Sequence, residues 1–368
     1  MRIRNLVILS LVLLVAVVCA FSRLSASNAQ TTQPDRARQA ATPTPAAARP
    51  SPTPAPTPEE IIRIDTELVN LNVRVIDRNN RPINNVRQNE FKVYEDGILQ
   101  EIAFFSKSEV PTNYALVIDN SGSLRLQLEK VIEAGKIIVG TNRAEDETSI
   151  IRFVSSEKIE IVQDFTARKQ DLNDALENLF TEGGQTAIID AIYLAAEKVD
   201  QYENSRNPNE RKRRALVLVS DGEDRDSFYK EPQLFELLRE ADVQIYAIGF
   251  VSELSKEGGF ISRSPQGKAK AFLQRLADET GGKAYFPLSP NELTVIASDI
   301  ASEMRTQYSI GYQPTNDKND GSFRNIKVVV DDGPNKQKRI AVTRSGRTAE
   351  NDRTTAPSLQ SPTQTKVQ

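Results

Sequence analysis

The chain has 368 residues, enough for two domains with cores of their own plus polar extensions. It is 39% hydrophobic and 26% charged, with a net charge of −3, as a soluble globular protein would be. It contains no histidine, which excludes Ser-His-Asp and Cys-His catalysis and every His-ligated zinc site. Its single cysteine, Cys19, lies in an N-terminal apolar segment, so the folded part has neither disulfide nor thiol chemistry.

Arg2 and Arg4 precede an apolar run from Leu6 to Phe21, and Ser27-Asn28-Ala29 then places small residues where a signal peptidase reads. This layout predicts a secretory signal peptide over residues 1–29 and an exported product, periplasmic or extracellular. The alternative is an uncleaved membrane anchor, for which the run is short. Removing residues 1–29 takes away Arg2, Arg4 and Arg23 and no acid, moving the net charge to −6. A mildly acidic product is a poor nucleic-acid binder. The basic run Arg211-Lys212-Arg213-Arg214 is the one counter-signal, read either as a solvated loop edge or as a patch for phosphate or an acidic partner.

Residues 30–58 are rich in Pro, Ala, Thr and Gln and predict an extended tether without a core. At about 3.1 Å per residue it could reach roughly 90 Å. Residues 61–108 read as a small β unit: Leu68, Leu71, Val73 and Val75 give an imperfect alternation, followed by Phe91–Tyr94 and Ile102–Phe105. Forty-odd residues are marginal as an independent domain. The residues that could complete it lie at 306–346, where Tyr308–Tyr312, Phe323–Val330 and Arg339–Val342 also read as strands. The two stretches are expected to pair into one β-sandwich-like module, with residues 111–305 inserted between them. Residues 349–368 are polar and expected to be disordered.

The inserted segment alternates strand and helix, as an α/β doubly wound, mainly parallel sheet requires. Strands are predicted at Leu116–Ile118, Ser149–Val154, Leu216–Val219, Val243–Ile248 and Lys283–Phe286, several of them continuous apolar runs suited to burial on both faces. Helices are predicted at 124–140, 168–180, 187–203, 232–241, 268–280 and 290–306, the fifth ended by Gly281-Gly282.

Three places on this segment carry oxygen-bearing side chains. Asp119-Asn120-Ser121-Gly122-Ser123 follows the apolar run Tyr114–Ile118, Thr186 follows Gly183-Gly184-Gln185, and Asp221 follows Ala215–Ser220. In an open α/β sheet, such positions converge on a crevice at the carboxyl ends of the strands. Two carboxylates and three hydroxyls, without nitrogen or sulfur, suit a hard divalent cation: Mg²⁺ first, with Mn²⁺ or Ca²⁺ as alternatives. Each residue also has a plainer reading. Ser121, Ser123 and Thr186 could be helix N-caps, Asp119 could cap the same turn, and Asp221 could open a turn with Gly222. Glu223 and Asp224 read as a solvated acidic loop or as a rim, and Gly183-Gly184 as a close approach of the backbone to the ion or a flexible turn. The polar stretch Ser252–Gly267 reads as a border of the same rim or as an insertion without consequence.

The set resembles the metal-ion-dependent adhesion site of von Willebrand factor type A (VWA) domains, whose pattern is Asp-x-Ser-x-Ser, then a distant Thr, then a distant Asp. It is matched by Asp119, Ser121, Ser123, Thr186 and Asp221. The flanking stretches resemble bacterial exported VWA-related proteins, through Asn89–Gly97 and Tyr308–Pro314. The resemblance implies a VWA (Rossmann-like) fold in which both Ser hydroxyls bind the ion directly. Thr186 would bind directly or through water, and the two Asp would act largely through coordinated waters. It further implies a non-enzymatic module that binds a protein partner through an Asp or Glu side chain. Two other functions compete. One is a scaffold in which the β module does the binding. The other is a Mg²⁺-dependent hydrolase, against which stand Ser121 in place of a second acid and the absence of a P-loop.

Overall fold

The computed structural model describes residues 68–107, 110–205, 212–254 and 264–349. The expected signal peptide, the Pro-rich tether, residues 61–67 and the tail from 350 onward lie outside the described residues. Among the described residues no helix is long and apolar enough to cross a membrane.

The centre is a six-stranded sheet of β5 (Thr112–Asp119), β6 (Glu147–Phe153), β7 (Ile159–Thr166), β8 (Arg213–Ser220), β9 (Gln244–Gly249) and β10 (Lys283–Tyr285), in the order β10-β9-β8-β5-β6-β7. All neighbours are parallel except β6 and β7. The helices packed on this sheet are α1 (Leu128–Gly140), α2 (Lys169–Glu177), α3 (Ile188–Asn204), α4 (Glu231–Ala241), α5 (Pro265–Thr280) and α6 (Leu293–Glu303), the last of which leads out of the sheet.

Strand β5 carries the continuous apolar run Tyr114–Ile118, and every residue of the strand is buried. Tyr114, Leu116 and Ile118 face the core made with α1, α2 and α6. Ala115 and Val117, half a pleat away, face the core made with α3, α4 and α5. Helix α5 stops at Gly281, whose φ of +77° lies in the left-handed region, and the Gly282 amide donates to the Ala277 carbonyl at 2.9 Å.

Two four-stranded sheets lie outside this layer. They use β1 (Val69–Ile76), β2 (Phe91–Glu95), β3 (Ile98–Gln100), β4 (Ile102–Ser106), β11 (Tyr308–Tyr312), β12 (Phe323–Val330), β13 (Ile340–Val342) and β14 (Gly346–Thr348). Their orders are β13-β1-β11-β4 and β14-β12-β2-β3, so each sheet interleaves N-terminal with C-terminal strands. Neither stretch could form its sheets alone. Their shared core holds Leu71, Val73, Phe91, Val93, Tyr308, Ile310 and Val328. Tyr308 anchors it: its ring packs 5.2 Å from that of Phe91, and its hydroxyl donates to the Ile83 carbonyl and accepts from the Val86 amide.

The chain departs from the sequence expectations in four places. The inward residues of β1 are Val69, Leu71, Val73 and Val75, which leaves Leu68 outward and 42% exposed. An alternation counted from Leu68 is out of step, and a slip of one residue reverses the face. Strand β7, antiparallel at the sheet edge, was not expected, because its half-exposed, polar-rich sequence lacks the apolar run of its neighbours. Strands β3 and β14, three residues each, are too short to give a periodic signal. Lastly, the described part of the basic run is consumed by the fold. Lys212 pairs with Glu147 at 2.7 Å and Arg214 with Asp200 at 2.6 Å, while buried Arg213 donates to the Met304 and Gln307 carbonyls.

Candidate metal centre

From β5 the chain runs through α1 to β6 on one side, while β8 lies on the other side of β5. The winding reverses at this point, and the carboxyl ends of β5 and β8 therefore open a crevice. Asp119 is the last residue of β5, and Asp221 follows the last residue of β8. The paired register Ile118↔Val219 brings these two ends level.

Ser121, Ser123, Thr186 and Asp221 line one cleft, together with Glu223 and Arg225 across from them. Asp119 lies beneath, fully buried, and accepts the Ser121 amide on Oδ1 at 2.9 Å and the Ser220 hydroxyl on Oδ2 at 2.8 Å. The hydroxyls of Ser121 and Ser123 are 2.8 Å apart. Asp221 Oδ1 accepts the Glu223 amide at 3.0 Å. Both acids thus hydrogen-bond within a turn, as their plainer reading expected.

The hydroxyls are different. Ser121 precedes the short 3₁₀ turn Gly122–Leu124 but makes no side-chain cap. The residue before α1 is Gln127, and the residue before α3 is Ala187 rather than Thr186. None of the three hydroxyls is spent on a helix end, so capping does not account for them.

Thr186 is held in place by its backbone. Its carbonyl accepts the amides of Arg225 at 2.8 Å and Asp226 at 3.2 Å, which stitches the loop after β8 to the start of α3. On the other side, the Asn120 side chain donates to the Phe180 carbonyl at 2.7 Å, and the Asn120 carbonyl accepts the Glu182 amide. These bonds bring three segments, far apart in sequence, onto one cleft.

The electrostatics are those of a buried carboxylate. Burial raises the Asp119 carboxyl from its ordinary 3.8 to about 6; the Ser121 hydrogen bond opposes this and the nearby Asp221 charge adds to it. It forms no ion pair among the described residues. Arg225, the basic residue lining the cleft, is paired with Glu223. Among the described residues no three His, Cys, Asp or Glu side chains cluster as a metal site. The donor set here is instead two carboxylates and three hydroxyls. An all-oxygen set holding uncompensated negative charge fits a hard divalent cation.

Ser220 was not singled out in the sequence, although it fixes the Asp119 carboxylate. Its signal was positional: one residue past Val219, it stands beside Asp119 across the paired strands. Of the two glycines before Thr186, only Gly184 is sterically required. A Cβ at Gly184 would lie 2.4 Å from Val154 Cγ1, while one at Gly183 would meet nothing. The close approach is to the end of β6. Gly184→Ala is therefore expected to displace the Thr186 loop and lower the melting temperature, whereas Gly183→Ala leaves it unchanged; thermal unfolding of both variants checks this. Of the rim candidates, Glu223 lines the cleft, while Asp224 turns back to accept the Ile189 amide and the Ser227 hydroxyl. Leu254 lines the cleft, and residues 255–263 of the adjoining polar stretch lie outside the described residues.

The family model for the von Willebrand factor type A domain matches residues 113–299, just over half of the chain. No curated protein matches the chain. Among solved structures, the chain is similar to an aerotolerance-related membrane protein from Bacteroides fragilis, at 21% identity and a TM-score of 0.40 over 52% of this chain and 98% of that one. It is also similar to a von Willebrand factor type A protein from Catenulispora acidiphila, at 13% identity and a TM-score of 0.42 over 77% and 75% of the two chains. A third likeness is to the vWF domain of the type V pili tip protein Mfa5 from Porphyromonas gingivalis, at 11% identity and a TM-score of 0.40 over 53% and 95%. With the family model spanning the inserted sheet and its helices, the chain belongs to the von Willebrand factor type A domain family.

Proposed function

We propose that the protein is an exported, non-enzymatic binding module that holds a Mg²⁺-type cation on Asp119, Ser121, Ser123, Thr186 and Asp221 and uses it to bind a carboxylate of a protein partner. The observation that carries this reading is the convergence of three uncapped hydroxyls on one cleft beside a buried carboxylate that forms no ion pair among the described residues. When bound, the cation would supply a positive centre for a partner's Asp or Glu. The chain's own residues do the rest. Ser121 and Ser123 offer hydroxyl oxygens at the cleft floor, Ser220 orients Asp119, and the Arg225 and Asp226 amides keep Thr186 in place. Two carboxylates balance the ion, which leaves room for one further anionic ligand.

Membership in a family of interaction modules supports binding over turnover. The export part of the proposal rests on the sequence of residues 1–29, and the domain limits on the composition breaks at 58, 108, 305 and 346.

The test is thermal unfolding of the full chain in millimolar Mg²⁺ or Mn²⁺ against chelator, for wild type and Ser121→Ala. A ligand present at one hundred times its dissociation constant stabilises the folded state by about 2.7 kcal/mol. The expected result is a rise in melting temperature in wild type that is absent in the variant. No rise in wild type would refute the cation site.

A further inference from the structure

Away from the cleft, α3 and α4 present a second surface. Tyr193 on α3 and Tyr229 in the loop before α4 stack with ring centroids 3.9 Å apart and planes 4° apart. Phe228 meets Tyr229 edge-on at 5.3 Å and 87°, and is itself 76% exposed. This aromatic group is built rather than incidental. Buried Asp190, in the first turn of α3, accepts the Phe228 amide at 2.8 Å and the Tyr229 amide at 2.9 Å, which fixes the backbone beneath the rings.

Carboxylates stand around the stacked pair. Glu197 follows Tyr193 by one turn on α3, and Glu236 and Glu240 stand one turn apart on α4. Burial raises the Tyr193 hydroxyl above its ordinary range, and the charges of Glu197, Glu240 and Glu236 add to this. Neither Glu197 nor Glu236 forms an ion pair among the described residues. Of the basic groups nearby, Lys198 pairs with Asp164 and Arg225 with Glu223, while the Lys230 ammonium stays beside the group on the Ser227 carbonyl.

An aromatic face attracts a cation through its quadrupole, and adjacent carboxylates add to that attraction. An exposed ring beside a stacked pair, with carboxylates that form no ion pair among the described residues, is complementary to an ammonium or guanidinium group. We propose that Phe228, Tyr229 and Tyr193, with Glu197 and Glu236, bind a lysine or arginine side chain presented by a basic segment of a protein partner. The surface works without the cleft, so the partner's basic segment is recognised in the absence of a divalent cation.

The test is calorimetric titration of the full chain with an octalysine peptide in chelator at low salt, with octaglutamate as control. Phe228→Leu keeps the apolar bulk and removes the ring, and the exposed position lets the variant fold. It is expected to weaken octalysine binding about tenfold, as is the pair Glu197→Gln with Glu236→Gln. Octaglutamate is expected not to bind. The proposal is overturned if wild type fails to bind octalysine. It is equally overturned if Phe228→Leu binds as wild type does, since the attraction would then be that of an acidic chain in general.

Discussion

Glu303→Ala is expected to destabilise the protein by about 3–5 kcal/mol, because it strands a buried guanidinium. Arg74, on β1 of the outer sheets, is 6% exposed and reaches to Glu303 at the end of α6, itself 2% exposed. The same guanidinium donates to the Gly282 carbonyl at 2.6 Å and to the Gly281 carbonyl at 3.3 Å. The other Glu303 oxygen accepts Lys283 at 3.0 Å, and Lys283 also holds Asp299 at 2.6 Å. This network joins the interleaved strands to the central layer, alongside Arg213, which reaches Asn72 and Ser309. Burying two charges costs desolvation that their attraction only partly offsets. The double change Arg74→Met with Glu303→Leu is thus expected to restore much of what the single change loses. Urea unfolding of the single and double variants measures both; a loss below about 1 kcal/mol in Glu303→Ala would contradict the description of a buried, connected pair.

Asp119→Asn is expected to act in opposite directions with and without a divalent cation. In the folded chain the Asp119 carboxyl is raised from 3.8 to about 6, chiefly by burial, so without a cation the fold favours its protonated form. That contribution is fully present below pH 3.8 and is lost as the pH rises through about 6. The difference corresponds to about 3 kcal/mol. In chelator at pH 8 the amide, which carries no charge to desolvate, should therefore make the protein more stable than wild type. In millimolar Mg²⁺ the order should reverse, because the variant lacks the anion that holds the ion. By the same linkage, cation-dependent stabilisation of wild type should fade as the pH drops through about 6, where a proton competes for Asp119. Melting temperatures of both proteins from pH 4 to 8, with and without Mg²⁺, test all three expectations. A variant less stable than wild type in chelator at pH 8 would show that the carboxylate is held by favourable contacts rather than tolerated.

The central layer was legible because its strands are buried on both faces. Runs such as Tyr114–Ile118 and Leu216–Val219 supply apolar residues to both faces, and the polar residues that follow them fall at the strand ends. The proposed ligands were legible for the same reason: Asp119 and Asp221 terminate two such runs. What the sequence hid lies where one face is open or where contacts are long-range. Edge strand β7 is half exposed, and β3 and β14 are too short to carry a period. Lys212 and Arg214 look like solvent charges until the fold supplies Glu147 and Asp200, and nothing local marks Arg213 as buried. Ser220 acquires its role only from the register that sets it beside Asp119. The hydroxyl chemistry was ambiguous in sequence because Ser and Thr before helices usually cap them; only the helix starts at Leu128 and Ile188 remove that explanation.

The most direct measurement is a count of bound Mn²⁺ by electron paramagnetic resonance, on the full chain and on Ser121→Ala, at pH 7.5. Free Mn²⁺ gives a sharp signal that is lost on binding, so the titration reads stoichiometry without any partner. The account predicts one tightly bound ion per chain in wild type, displaced by excess Mg²⁺, and none in the variant. A wild-type chain that leaves all the Mn²⁺ free, or a Ser121→Ala variant that binds as wild type does, would contradict it.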